Sequence, residues 1–250
     1  MFNIAFLDTL RVEELQLVVG KLKPRSRVLE FGAGTGSQAR DLAQLGFDVV
    51  AIDLATSGYS GERVFDVIDY DGLHIPLPDQ SVDAIFSSNV LEHVEDTDQI
   101  FREFARVLRP DGFCVHLLPS VAWRAWTFVT GVPTAVLAAA QAIRDPFLST
   151  DDPRRKSFRS NLKTVFGSLL PIGHGTSFEG ISELWTFSRH AWRSKFRNAG
   201  FVVEEVHPVG LFHTGHMLAG KRLPIAARRR LAAVMGSAAN VFVIRPGVRG

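Results

Sequence analysis

The sequence predicts an α/β fold built on a mainly parallel sheet, because short apolar runs alternate with helical patterns along the chain. The runs are continuously apolar, as in strands that are covered on both faces of such a sheet. A glycine-rich turn follows the first run and opens a helix, at the strand end where these folds bind their ligands. The predicted strands are, in order, RVLEFG, FDVVAID, VFDVID, VDAIFSSN, FCVHLLP, FVVEEV and AANVFVIRP.

Helical periodicity fills the gaps between these runs. Residues 11–22 place apolar side chains at helical spacing before Pro24, and a second helix is predicted after Gly36. Residues 97–108 carry their apolar side chains on one face, which predicts an amphipathic helix. The RPDG sequence at 109–112 predicts a turn into the fifth strand.

Two stretches, 120–187 and 209–236, interrupt the alternation. We expect one domain over 1–250, with the first stretch as a mainly helical insertion after the fifth strand and both as lid or ligand-binding segments. Residues 125–143 carry no charge. Three interpretations of them stay open: an apolar lid or core helix, a segment lying in a membrane interface, or a membrane span.

Composition excludes several classes of protein. With 46% hydrophobic and 22% charged residues in a chain of 250, the sequence is neither disordered nor fibrous. The first residues lack the features of a signal peptide, so we expect a cytoplasmic location. The single cysteine, Cys114, lies in the apolar run FCVHLL and is interpreted as a small buried side chain.

The net charge of +2 hides two opposed halves. Residues 1–120 hold 10 Lys and Arg against 19 Asp and Glu, a net of −9, whereas 121–250 hold 18 against 7, a net of +11. The basic half is expected to face an anionic ligand or a membrane surface, or to be simply a solvated surface. No nucleic-acid-binding module accompanies its clustered basic residues at 154–159 and 228–230, so no nucleic-acid partner is expected.

The sequence Glu30-Phe31-Gly32-Ala33-Gly34-Thr35-Gly36 carries the chemistry at the first strand end. Its third glycine comes one residue too early for a G-x-G-x-x-G dinucleotide loop, and no Gly-Lys-Ser or Gly-Lys-Thr follows as in a P-loop. The pattern that fits is an acidic residue followed by x-G-x-G-x-G. With VVAID, the LHIPLP segment and SSNVLEHVED further along, it resembles the class I S-adenosylmethionine-dependent methyltransferases.

The resemblance covers residues 27–118 closely and the last strands loosely. It implies a Rossmann-like seven-stranded, mostly parallel sheet and S-adenosyl-L-methionine as the cofactor. In this family the first acid helps to hold the methionine ammonium group, the glycine loop passes beneath the cofactor, the acid ending strand two accepts the ribose hydroxyls, and the next acidic segment reads the adenine edge. The implied cofactor-binding residues are Glu30, Gly32, Ala33, Gly34, Asp53, Leu54, Asp71, Gly72 and Asn89.

Histidines are the candidates for a catalytic base. The resemblance places His93 just past strand four, where some relatives keep a base, and His174 lies between glycines that suit a closing loop. His213 and His216 are further candidates. No cysteine accompanies them, so no metal site is expected.

The predicted function is methyl transfer to a small-molecule or a lipid- or sugar-linked acceptor, at an oxygen atom, with peripheral membrane contact as a further expectation. Two alternatives stay open: a nicotinamide-dependent oxidoreductase on a related fold, and a non-catalytic protein that keeps the cofactor fold. The oligomeric state does not follow from the sequence.

Overall fold

The computed structural model describes residues 4–144, 164–167, 182–216 and 220–247. The chain divides into two compact units. The sheet unit consists of Ile4–Pro119, Arg189–Val209 and Ala239–Gly250, and the helical unit consists of Met1–Asn3, Ser120–Ser188 and Gly210–Ala238.

Seven strands of the described residues form one sheet in the order β3-β2-β1-β4-β5-β7-β6. All neighbours are parallel except β7, which is antiparallel to both β5 and β6. This confirms the predicted seven-stranded, mostly parallel sheet. The strands are β1 (Arg27–Phe31), β2 (Asp48–Leu54), β3 (Val67–Tyr70), β4 (Val82–Ser88), β5 (Leu108–Pro119), β6 (Phe201–Pro208) and β7 (Ala239–Pro246).

The strand order reverses between β1 and β4, which positions the site. The chain runs outward from β1 to β3 and then returns, so that β4 pairs with β1 on its other edge. In open α/β sheets this reversal leaves a crevice outside the carboxyl ends of the two strands. Gly32 follows β1 and Asn89 follows β4, so both lie at this edge of the sheet.

Helices occur close to where the sequence predicts them, although the first spans Ile4–Val19 rather than 11–22. Helix α3 begins after Asp96, whose side chain accepts a hydrogen bond from Gln99 N at 2.9 Å, and it buries Phe101 and Phe104. The described helices of eight or more residues are, in the sheet unit, α1 (Ile4–Val19), α2 (Ser37–Gln44), α3 (Thr97–Val107) and α5 (Arg189–Asn198), and, in the helical unit, α4 (Val121–Arg144) and α6 (Ile225–Met235).

The RPDG sequence differs from its prediction. It lies inside β5 as a bulge, because the register with β4 passes from Val82 opposite Leu108 to Ala84 opposite Phe113. A side chain at Gly112 would begin 2.8 Å from the side chain of Leu108, so the bulge closes tightly on itself. The turn residues therefore bend a strand that has already begun.

The helical unit has a polar interior. The Arg124 guanidinium lies 2.8 Å from the Glu183 carboxylate, and both side chains are buried. The buried guanidinium of Arg228 donates to three backbone carbonyls, those of Phe212, Gly220 and Leu223. Satisfying so many carbonyls with one side chain stabilises an irregular segment that no strand or helix ladder serves.

Helix α4 contains the uncharged residues 125–143, for which the sequence left three interpretations open. In the described residues it is the helix that is long and apolar enough to cross a membrane, judged by length and composition alone. Only 28% of its most apolar 18-residue window is buried. The interpretation as a core helix is therefore weakened, whereas the membrane-interface and lid interpretations are not tested by this finding.

His116 lies in the core of the sheet unit. Its ring stacks between Phe104 and Phe196, and its Nδ1 lies 2.8 Å from Ser87 Oγ. Burial lowers the pKa of His116 from 6.5 to about 3, because a charged imidazolium cannot be solvated there. Between these two pH values His116 is protonated in the unfolded chain but neutral in the folded protein.

We predict that His116 makes the fold sensitive to acid. Its stabilising contribution is complete above pH 6.5 and is lost as the pH falls towards 3. The comparison is between Ser87→Ala and Ser87→Ala/His116→Leu. As the pH falls from 6 to 4, the free energy of unfolding of the double variant should rise relative to that of Ser87→Ala by about 1.4 kcal/mol per pH unit. Urea unfolding at several pH values measures this, and a difference that does not change with pH would contradict the assignment.

Candidate functional site

The glycine loop after β1 turns back towards β2. The N–H groups of Gly32 and Ala33 both donate to Ile52 O, at 2.9 and 3.0 Å, and Gly34 N donates to Asp53 Oδ2 at 2.9 Å. Gly32 has φ +74°, and a side chain there would begin 2.4 Å from Val90 Cγ1. Only glycine fits this position, because the backbone has a positive φ and Val90 fills the space that a side chain would need.

Glu30 is a buried carboxylate at the end of β1. Its Oε2 has no hydrogen-bond partner among the residues that the structure describes. Burial raises the pKa of Glu30 from 4.5 to about 8, a backbone hydrogen bond from Ala39 opposes this, and the nearby negative charge of Asp53 adds to it. An unpartnered buried oxygen of this kind is expected where a ligand supplies the missing donor.

Asp53 and Leu54 end β2 beside the loop. The two carboxylate oxygens of Asp53 accept from Gly34 N at 2.9 Å and Leu54 N at 2.8 Å. Each oxygen of a carboxylate has a second lone pair, so Asp53 can brace the glycine loop and still accept two hydroxyl donors. The Leu54 side chain is partly exposed and lies against Gly72, where an added side chain would begin 3.1 Å from Leu54 Cδ2.

Asp71 and Gly72 form the turn after β3. Asp71 Oδ1 accepts from the N–H groups of Leu73 and His74, each at 2.7 Å, and its Oδ2 lies 2.9 Å from His74 Nδ1. The side-chain hydrogen bond with His74, followed by the two backbone ones, lowers the pKa of Asp71 to about 2. The carboxylate is therefore ionised and fixed by its own turn, and Gly72 follows with φ +85°.

Arg11 joins helix α1 to the end of β4. Its Nη1 donates to Glu14 Oε2 at 2.7 Å and to Ser88 Oγ at 2.9 Å. The Asn89 amide is oriented so that its oxygen accepts from Arg11 Nη1 and, at 3.2 Å, from Arg11 Nη2, since the opposite orientation would set donor against donor. Asn89 itself has φ +54°, and its N–H donates to Leu117 O at 2.8 Å.

His93 is the last residue of a short 3-10 helix, Leu91–His93, which begins two residues after Asn89. Its side chain is 44% exposed, and its Nε2 lies 3.9 Å from Oε1 of Glu92, whose carboxylate is fully buried. An accessible imidazole therefore lies beside a buried carboxylate.

The remaining histidines divide into two groups. His174 lies outside the described residues. His213 and His216 belong to the helical unit, and burial lowers the pKa of His216. Within the part of the chain that is described, no three His, Cys, Asp or Glu side chains lie close enough to hold a metal ion.

The structure thus brings the residues predicted around the first four strands to one edge of the sheet. Sequence reasoning missed Arg11 and Glu92 in this region. Glu92 stands in the LEHVED motif and was passed over for its neighbour His93. Arg11 had no local signal, because it lies 77 residues before Ser88 in the chain.

Comparison with known proteins also indicates a methyltransferase. A family model described as "Methyltransferase domain" matches residues 29–116. The chain is 42% identical over 229 residues to malonyl-[acyl-carrier protein] O-methyltransferase of Yersinia pestis, covering 88% of this chain and 71% of that protein. It is 34% identical over 112 residues to an S-adenosylmethionine-dependent methyltransferase of Mycobacterium tuberculosis, covering 42% of this chain and 41% of that protein.

Solved structures support the fold. A Haloferax volcanii methyltransferase in complex with the Trm112 methyltransferase activator superposes with a TM-score of 0.57 at 14% identity. The superposition covers 95% of this chain and 90% of that one.

We predict that Glu30 destabilises the ligand-free protein at alkaline pH. Its raised pKa means that the folded protein holds an extra proton between pH 4.5 and about 8, so stability is complete below 4.5 and is lost as the pH rises through 8. Glu30→Gln cannot ionise and should gain stability over the wild type as the pH rises, by about 3–5 kcal/mol at most.

Thermal melts of the ligand-free protein at pH 5, 7 and 9 measure this gain. The exposed Glu62 provides the control, since Glu62→Gln should shift the melting temperature equally at all three pH values. A Glu30→Gln variant that behaves like Glu62→Gln would show that the Glu30 carboxyl ionises as it does in water.

Proposed function

The chain belongs to the class I S-adenosylmethionine-dependent methyltransferases, and from this membership we propose that it methylates an oxygen atom of a small-molecule or a lipid- or sugar-linked acceptor. The membership rests on the relative of 42% identity, of which the chain covers 71%. It sets aside the nicotinamide oxidoreductase that the sequence had left open.

The residues at the β1–β4 reversal fit the cofactor of this family. The unpartnered Oε2 of Glu30 suits the methionine ammonium group, which would supply its missing donor. The glycine loop, Gly32, Ala33 and Gly34, follows β1 directly after Glu30 and is assigned to pass beneath the cofactor, and Asp53 keeps acceptor capacity for two ribose hydroxyls. Leu54, Gly72 and Asp71 are assigned to the adenine. When bound, the cofactor supplies a methyl group that is already activated on a sulfonium ion.

The electrostatics of the site favour this assignment. Burial raises the pKa of Glu30, and the nearby negative charge of Asp53 adds a smaller contribution in the same direction. The cofactor itself has two positive groups, an ammonium and a sulfonium, and one negative carboxylate. It would therefore bring a net positive charge into this acidic region. A positively charged group bound beside Glu30 would therefore offset the cost of ionising this buried carboxyl.

The Glu92–His93 pair is the observation that supports an oxygen atom as the methyl acceptor. A hydroxyl must lose its proton as it is methylated, and a half-exposed imidazole beside a buried carboxylate is suited to take that proton near neutral pH. The relative from Yersinia pestis is named for O-methylation of a malonyl carrier, which agrees with an oxygen acceptor.

A carboxylate oxygen is the second candidate, because the malonyl group in the name of that relative carries a carboxylate. Such an acceptor is already deprotonated at neutral pH and needs no base. The two acceptor classes therefore differ in whether His93 takes part in the reaction.

We further propose that the helical unit selects the acceptor. The cofactor residues assigned above all lie in the sheet unit, whereas the helical unit has buried polar groups of its own. Arg124 and Glu183 form a buried ion pair there, and the buried Thr214 Oγ1 makes no hydrogen bond within the described residues. His174, in the same insertion, stays a candidate for the catalytic base.

Transfer of labelled methyl from S-adenosylmethionine to extracted polar, lipid-linked and quinone-like compounds tests the proposal. For a hydroxyl acceptor, His93→Ala should lower kcat by about 10²–10⁴ and leave the affinity for S-adenosylhomocysteine unchanged, because only the proton acceptor is lost. His190→Ala, at an exposed histidine of α5, is the control and should keep wild-type kcat.

Two results would change the account. Wild-type kcat of His93→Ala on a hydroxyl acceptor would remove His93 as the base and move the search to His174, His213 and His216. Methylation only at carbon or nitrogen acceptors would contradict an oxygen acceptor altogether.

Peripheral membrane contact is a separate part of the proposal, and it rests on the exposed face of α4. Val129, Val132, Val136 and Ile143 recur at the spacing of one helix face, and each is between 59% and 72% exposed. No charge occurs along residues 125–143, and the helical unit as a whole has 12 Lys and Arg against 5 Asp and Glu. An apolar stripe on a basic unit suits the surface of an anionic bilayer.

We predict that the protein binds vesicles containing phosphatidylglycerol at low salt, less strongly at high salt, and weakly to neutral vesicles. Val132→Glu/Val136→Glu should lower the bound fraction in a flotation assay by about tenfold or more, since it places charges in the stripe. Val202→Glu, at a valine of β6 that is 55% exposed, should have no effect. Absence of flotation at low salt, or a stripe that instead mediates dimer formation, would contradict membrane contact.

A further inference from the structure

The contacts of Arg11 point to a role beyond structure, and we propose that its guanidinium binds the carboxylate of the cofactor's methionine group. This inference rests on the cofactor assignment given above. The methionine end of the cofactor carries two opposite charges, and the ammonium has a partner in Glu30. The carboxylate needs donors at the same edge of the sheet.

The sheet register places Arg11 at that edge. Glu30 on β1 lies opposite Phe86 on β4, and Ser88 ends β4 two residues further on. Adjacent parallel strands are about 4.8 Å apart, so the region of Ser88 is within reach of a ligand whose ammonium meets Glu30. Arg11 is hydrogen bonded to both Ser88 and Asn89 there.

The orientation of the guanidinium is fixed from one side. Glu14 is buried, and its Oε2 holds Arg11 Nη1 at 2.7 Å, while Ser88 takes a second N–H of the same nitrogen. Asn89 accepts from both Nη1 and Nη2, on the edge that these two nitrogens share. In these contacts with described residues, Nε and one N–H of Nη2 take no part.

The remaining N–H groups are on neighbouring nitrogens of one guanidinium edge. That edge can hold a carboxylate with two parallel hydrogen bonds, the geometry for which arginine is better suited than lysine. The Arg11 side chain is 20% exposed, so such a pair would be partly shielded from water. Arg11 would then bind the carboxylate of the methionine group, and Glu30 would bind its ammonium.

Ligands that lack one charge at a time test this division. Decarboxylated S-adenosylmethionine keeps the ammonium but has no carboxylate, and methylthioadenosine has neither. Arg11→Met should weaken S-adenosylmethionine about 10–100-fold in calorimetry while changing the affinity for decarboxylated S-adenosylmethionine less than twofold. Glu30→Gln should weaken both, and neither variant should affect methylthioadenosine.

Controls separate the inference from simpler explanations. Arg11→Lys keeps the charge but loses the two-pronged edge, so it should bind S-adenosylmethionine with intermediate affinity, and it serves if Arg11→Met does not fold. Arg102→Met, at a surface arginine of α3, should bind all three ligands like the wild type.

The outcomes are distinct. Equal weakening of S-adenosylmethionine and its decarboxylated form by Arg11→Met would show that Arg11 only braces α1 against β4, and no weakening of either would also overturn the inference. Failure of the wild-type protein to bind any of the three ligands would overturn the cofactor assignment itself.

Discussion

The buried carboxylate of Glu30 is the constraint on which the rest of the site depends. It lies at the end of a central strand with one oxygen unpartnered, in a place where burial opposes its charge. The fold tolerates this because the strand order reverses there and opens a crevice for a cationic ligand. A stabler residue at position 30 would thus favour the ligand-free fold at the expense of binding.

The other residues of the site are arranged around this constraint. Asp53 fixes the glycine loop through Gly34 and keeps acceptors for the ligand, so one side chain orders the loop and takes part in binding. Asp71 is held by its own turn, which leaves Gly72 against Leu54. The acidic charge of the first 120 residues therefore has a local function, whereas the basic charge belongs mainly to the segments inserted after β5 and β6.

The sequence predicted the fold and the residues at the strand ends because both follow from short, contiguous patterns. Apolar runs located the seven strands, and E-x-G-x-G-x-G located the loop after β1. What the sequence could not predict depends on contacts between distant residues. Arg11 reaches β4 across 77 positions, and RPDG bends β5 from within because Leu108 already pairs with Val82. The long inserted segments have no periodic pattern that relates them to one another.

The central claim is that the β1–β4 reversal binds one S-adenosylmethionine-type ligand through Glu30, the glycine loop and Asp53. The most direct measurement is a calorimetric titration of the wild type and of Asp53→Ala with S-adenosylhomocysteine and with NAD. The account predicts one S-adenosylhomocysteine per chain, an affinity lower by about 1.5–3 kcal/mol in folded Asp53→Ala, and little response to NAD. Tight binding of NAD, or an unchanged affinity of Asp53→Ala for S-adenosylhomocysteine, would contradict it.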